Sequence, residues 1–283
     1  MKKTVYTLLL LLLSVPAMAQ RITGNDDDDD KDDPYDKITY FMIGINYISN
    51  NVYLGRKDTS VIPYYSPYIG YHFKNGIYGK AMASYTTAGG GSTDLATLEA
   101  GYDHTFGDHF NGGFNLDKFY YNKNSISVRA NTKESVGING QYGNDWVEPQ
   151  VTADVNVNKK STDFVTGLLL DHTFYFDKNT LQVIPTVAMY SGTQNYYDEY
   201  FNNRIQRKDK TAKTKKILAN ASKFKPLDYE LSAKVTYRVT KWLFTLTPTY
   251  AIPVNPSVLA LPKQTITEKL TNTFFVELDV CHR

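Results

Sequence analysis

The sequence predicts an all-β chain: an antiparallel transmembrane β-barrel of about 12 strands behind a cleaved signal peptide. Three observations carry that expectation. A short apolar leader opens the chain; segments alternating apolar and polar residues, rich in tyrosine, fill the region after residue 37; and these segments come in pairs whose connections are alternately short and long. Membrane barrels read this way because every second strand residue faces lipid, and because one end of the barrel carries tight turns and the other longer loops.

The leader has Lys2 and Lys3, then an apolar stretch centred on Leu8 to Leu13, then Ala17-Met18-Ala19. A positive start, a short apolar core and small residues mark a signal peptide over 1–19, with cleavage before Gln20. The apolar run is well short of the roughly 20 residues a spanning helix needs. Residues 20–36 form an acidic linker with Asp26 to Asp30, Asp32 and Asp33, closed by Pro34. Its composition reads as a solvated, unstructured segment, and it lacks the spacing and glycine of a calcium loop. Residues 37–283 are expected to be the barrel.

Composition supports this division. The chain has 23 Tyr and 14 Phe, yet 21% of its residues are charged. Aromatic girdles at two membrane interfaces combined with a polar lumen account for that mixture. With one cysteine, Cys281, no internal disulfide forms and the fold must rest on its hydrogen-bond ladder.

The strands are expected in order at Ile38 to Leu54, Tyr64 to Phe73, Ile77 to Thr87, Leu95 to Phe106, Phe110 to Tyr121 and Ser135 to Tyr142. The rest follow at Val147 to Val157, Phe164 to Phe176, Leu181 to Tyr196, Tyr229 to Val239, Trp242 to Val254 and Leu270 to the end. Tight turns fall at Lys74-Asn75-Gly76, Gly107 to His109, Gly143 to Asp145, Asp177 to Asn179 and Thr240-Lys241. Asn-Gly in the first readily takes the positive φ a hairpin requires. An even strand number puts both termini and every tight turn on one side, which in bacterial outer-membrane barrels is the periplasm.

Within the strands, Tyr229, Leu231, Ala233, Val235, Tyr237 and Val239 alternate with Glu230, Ser232, Lys234, Thr236 and Arg238. Continuing that phase around the chain gives lumen-lining candidates Lys80, Glu99, Asp103, Glu148, Asp154, Asp171, Glu230, Lys234, Arg238 and Glu277. Such charges either pair wall to wall and fill the lumen, or line a water path and set its selectivity. A second candidate region is the long segment 194–227. Tyr196, Tyr197 and Tyr200 precede a basic run including Arg204, Arg207, Lys208, Lys213, Lys215 and Lys216. On the outside of the cell this loop would meet phosphate and acidic sugars. The blander reading makes the tyrosines part of an interfacial girdle and the lysines solvated loop residues.

Catalytic and metal sites are not expected. None of the five histidines has a metal-ligand spacing with another His or Cys. His104 and His172 fall on the apolar phase but on strands that are not neighbours, so no nucleophile and base come together and the chain is expected not to be an enzyme. No cofactor is implied. Expected partners are outer-membrane lipid, together with small solutes or anionic surface glycans, and not nucleic acid.

Ala221 to Glu230, Thr247 to Pro256 and Thr265 to Phe275, with Tyr47 to Gly55, Ser66 to Phe73 and Gln194 to Tyr200, resemble an uncharacterised family of Bacteroidetes outer-membrane β-barrel proteins. The resemblance spans nearly all of the mature chain and implies the barrel fold, but no activity. Such barrels usually end on an aromatic read by the barrel-insertion machinery, whereas this chain runs from Phe274-Phe275 on to Cys281-His282-Arg283. The leading functional expectation is a passive pore for small solutes through a charged lumen. The alternative is a non-conducting structural or surface-binding barrel acting through 194–227.

Overall fold

The computed structural model describes residues 38–283, apart from 89–90, 145, 178–179, 198–199, 202–216, 219 and 262–263. The expected leader and acidic linker lie outside the described residues. Twelve strands form the wall: β1 Tyr40–Ile48, β2 Tyr64–His72, β3 Ile77–Thr86, β4 Ser92–Phe106, β5 Phe110–Tyr121, β6 Thr132–Tyr142, β7 Glu148–Asn158, β8 Thr162–Asp171, β9 Leu181–Gly192, β10 Lys225–Val239, β11 Trp242–Pro253 and β12 Thr273–His282. Phe174–Phe176 carries β8 past a break at His172-Thr173 and pairs with β9.

Every strand pairs antiparallel with its neighbours in sequence, and β1 pairs with β12, so the sheet closes on itself. Closure leaves no edge strand, which is the condition for carrying a sheet through hydrocarbon. The alternation read from sequence is the alternation of the wall. On β1, Phe41, Ile43 and Ile45 stand out while Tyr40, Met42, Asn46 and Ile48 are buried inward. Leu98, Leu116, Ile138, Val151, Leu168, Leu231 and Phe274 continue the outer apolar belt around the barrel. The belt ends in aromatic contacts at the turn end, such as Phe106 with Phe110 at 5.9 Å and Trp242 with Phe244 at 6.4 Å. His104 and His172 belong to this rim, each edge-on to a neighbouring phenylalanine at 4.6 Å.

The tight turns gather at one end, as the phase required. In the β2–β3 turn, Gly76 has φ +91, and a Cβ there would lie 1.9 Å from the Asp103 carbonyl oxygen of the adjacent hairpin. Only glycine fits that position.

At the other end several expectations are corrected. β1 stops at Ile48 rather than running to Leu54, and β9 stops at Gly192 rather than Tyr196. In both places the chain turns into the barrel, so apolar residues continue although the strand has ended. The third concerns Tyr196, Tyr197 and Tyr200, which are at most 5% exposed and are neither an interfacial girdle nor a surface patch. β10 also begins at Lys225, four residues ahead of expectation. A small sheet of Ile217–Leu218, Val258–Leu261 and Gln264–Thr267 extends the loop end.

Candidate functional site: the filled interior

Eight-stranded barrels are filled by their own side chains, whereas twelve strands enclose more space than the wall can fill. Here connecting segments supply the difference. After β1, residues 50–56 are buried without interruption. Val52–Tyr53 pairs with Arg56–Lys57 in a hairpin whose two turn residues, Leu54 (φ 49) and Gly55 (φ 70), both have positive φ, the signature of a type I′ turn. Leucine is strained there. Its side chain, 0% exposed, is offset by packing in an apolar cluster with Val128, Leu169, Tyr196 and Leu227.

Arg56 pins this hairpin across the barrel. Its guanidinium donates from Nη1 to the Leu54 carbonyl at 2.9 Å and to that of Leu227 at 2.5 Å. From Nη2 it donates to the carbonyls of Val254 at 2.8 Å and Asn255 at 3.1 Å. Glu268 stands 3.8 Å from its Nε. Buried at 2% exposure, the charge is compensated chiefly by main-chain oxygens of the β10 and β11 ends.

A second insert follows β9. The chain is helical at 195–197 and 200–201. Asp163 of β8, itself 0% exposed, caps it from the neighbouring strand by accepting from the Asn195 and Tyr196 amides at 2.7 and 2.8 Å and from the Thr193 hydroxyl at 2.6 Å. Tyr196 then meets Tyr53 edge-on at 4.9 Å, and Tyr200 donates to Asp58 at 2.5 Å, so the two inserts are fastened to each other. The β5–β6 connection is the third insert. Its Arg129 lies 4.3 Å over the Tyr53 ring and 5.0 Å over Phe119, and donates to Asn156 Oδ1 at 2.8 Å. Burial among these groups pushes the Tyr53 phenol up to about 12 despite the Arg129 charge beside it, and raises that of Tyr196 as well.

Toward the turn end the inward wall positions carry the lumen-lining charges. All ten lumen-lining candidates lie on the phase opposite the outer belt. Glu99, Glu148 and Asp171 are buried, and Lys80, Asp103, Asp154, Glu230, Lys234, Arg238 and Glu277 are partly exposed within the barrel. The structure brings Lys80 and Glu99 together at 2.7 Å and Asn46 to Glu277 at 2.6 Å. Gln141 bridges Glu148 and Asp171 at 3.2 and 3.4 Å. Glu99 lies directly opposite Asp117, and Glu148 opposite Asp171. Of the surface-loop candidates, Arg204, Arg207, Lys208, Lys213, Lys215 and Lys216 lie outside the described residues, while Tyr196, Tyr197 and Tyr200 belong to the filling.

Sequence reasoning missed Arg56, Arg129 and Asp163 as architectural residues. The available signal was the turn-forming Ser49-Asn50-Asn51 run, followed by an apolar stretch with no alternation.

No family model and no curated protein matches the chain. Among solved structures the barrel is similar to the KdgM porin, at 9% identity and TM-score 0.48 over 86% of this chain and 98% of that one. A bacterial polysaccharide outer membrane secretin has 11% identity and TM-score 0.43 over 87% and 98% of the two chains. LpxR from Salmonella typhimurium has 7% identity and TM-score 0.42 over 85% and 99%. At these values the likenesses carry no inference about activity.

Proposed function

We propose that the chain is an outer-membrane channel barrel held shut at its loop end, passing small solutes only when the inserted segments yield. The supporting observation is Arg56, a guanidinium at 2% exposure whose bonds tie the first insert to the ends of β10 and β11. A charge buried in this way costs several kcal/mol if its partners are lost, so the insert stays seated at rest. The expected passive pore is thereby refined into a closed one. The tight-turn end, with both termini, faces the periplasm in this reading, and the loop end faces outward.

The reading includes no catalysis. It keeps the resemblance to the Bacteroidetes barrel family as a description of lineage, without chemistry. The surface-binding alternative loses its tyrosines to the interior.

Planar-bilayer recording is the test. Wild-type barrel should be silent or rarely open, and Arg56→Ala, or replacement of residues 50–62 by a short Gly-Ser linker, should give steady conductance. Steady conductance of the wild type overturns the closure. Silence of both variants, with folding verified by β-sheet circular dichroism and heat-modifiable gel migration, overturns the channel.

A further inference from the structure

Beneath the inserts, the wall carries two cross-strand carboxylate pairs on its inner face. Glu99 of β4 stands directly opposite Asp117 of β5, and Glu148 of β7 directly opposite Asp171 of β8. Like charges facing each other across an antiparallel pair destabilise a sheet, and a wall needing only to be filled would not use them twice.

Each pair has one lysine within its field. Lys80, in register with Glu99 on β3, bonds it at 2.7 Å. Asp117 keeps one oxygen on Asn115 at 2.7 Å, while its Oδ1 is buried with no hydrogen-bond partner, in a residue only 6% exposed. Three strands further round, Gln141 is shared between Glu148 and Asp171, and Lys234, on the inner face of β10 beyond β9, is the lysine on that side. Arg129 of the β5–β6 insert also acts on Asp117, but Asp103, Asp154, Glu277 and Asp279 share the inner face with the two pairs, so acids outnumber bases there and leave a surplus negative charge in an enclosure where field lines are focused by a low-dielectric wall.

We infer that the lumen selects cations, with Glu99–Asp117 and Glu148–Asp171 as the two selecting pairs. A small cation passing along this face is drawn by its surplus acids, and an anion meets uncompensated charge of its own sign. The inference rests on the channel reading above and adds the class of solute.

The experiment records reversal potentials across a KCl gradient in the Arg56→Ala barrel and in the barrel with residues 50–62 replaced. Permeability should favour potassium over chloride several-fold. Combined Glu99→Gln and Asp117→Asn should bring that ratio close to unity, and Glu148→Gln with Asp171→Asn should lower it as well. Lys80→Gln, which removes a positive charge and leaves the acids in place, should raise it. This last variant keeps the test decisive if the doubly neutralised walls do not fold. A conducting barrel with no preference, or one for chloride, overturns the selectivity and leaves the channel reading intact. A folded barrel silent in every variant overturns the channel and the selectivity with it.

Discussion

The two halves of this barrel share one wall and differ in what occupies it. At the turn end the strands are joined by a few residues, and the interior holds lysines and carboxylates that are buried or partly exposed within the barrel. At the loop end the described parts of the inserts after β1, β5 and β9 fold back inside, and residues such as Leu54, Ile62, Tyr64 and Leu227 have no exposure at all. Strand number fixes the diameter, but connection length decides whether the enclosed space is solvent or protein. The loop end thus has the character of a globular core inside a membrane protein, with its own caps, type I′ turn and aromatic packing.

The comparison breaks most severely at Arg56. Arg56→Ala strips four carbonyls of a charged donor and leaves a void, and should destabilise the loop end by about 3 kcal/mol or more, measured by urea unfolding in micelles with a probe placed on the first insert. The turn end should keep its protection from hydrogen exchange in the same variant. The converse test is Gly76→Ala, which drives a methyl into the Asp103 carbonyl and forces φ +91 on a residue with a side chain. It should cost about 1–3 kcal/mol, appear as local exchange in the β2–β3 and β4–β5 hairpins, and leave the inserts seated.

A milder separation comes from pH. The Tyr53 phenol is held neutral by burial, so its contribution to stability is complete below the ordinary phenol value of about 10. That contribution is lost as pH rises through about 12. Absorbance titration at the phenolate band should show exposed tyrosines ionising first, with Tyr53→Phe removing one late step and shifting insert release upward. Smallest of all is Lys118→Ala on the outer wall, which breaks the exposed ion pair with Glu134 and should leave unfolding unchanged within error.

The sequence made the wall legible because dyad alternation survives wherever one face meets lipid and the other does not. β10 illustrates this best: Tyr229, Leu231, Tyr237 and Val239 stand outward, and Glu230, Lys234 and Arg238 inward. Turn chemistry, as at Asn75-Gly76, placed the hairpins. The inserts were illegible for the same physical reason. Val52, Tyr53 and Leu54 are surrounded on all sides, so no alternation marks where β1 ends, and a helical turn beginning at Asn195 is set by Asp163, thirty-odd residues earlier and on a different strand. The inner charges could be placed on the wall from the sequence, but their pairing depends on cross-strand register, which hydrophobic pattern alone does not specify to the residue.

Arg56 bonds to four main-chain oxygens, and this has a consequence for how the chain can vary. A clasp that recognises backbone is indifferent to the side chains of the strands it holds, so residues around Leu227 and Val254 can be exchanged without unfastening it, provided the strand ends keep their course. The constraint is concentrated on the clasp itself. Lysine, offering a point charge in place of a planar fork, cannot span the same four acceptors. Substitutions are therefore expected to accumulate around Arg56 long before they are accepted at it.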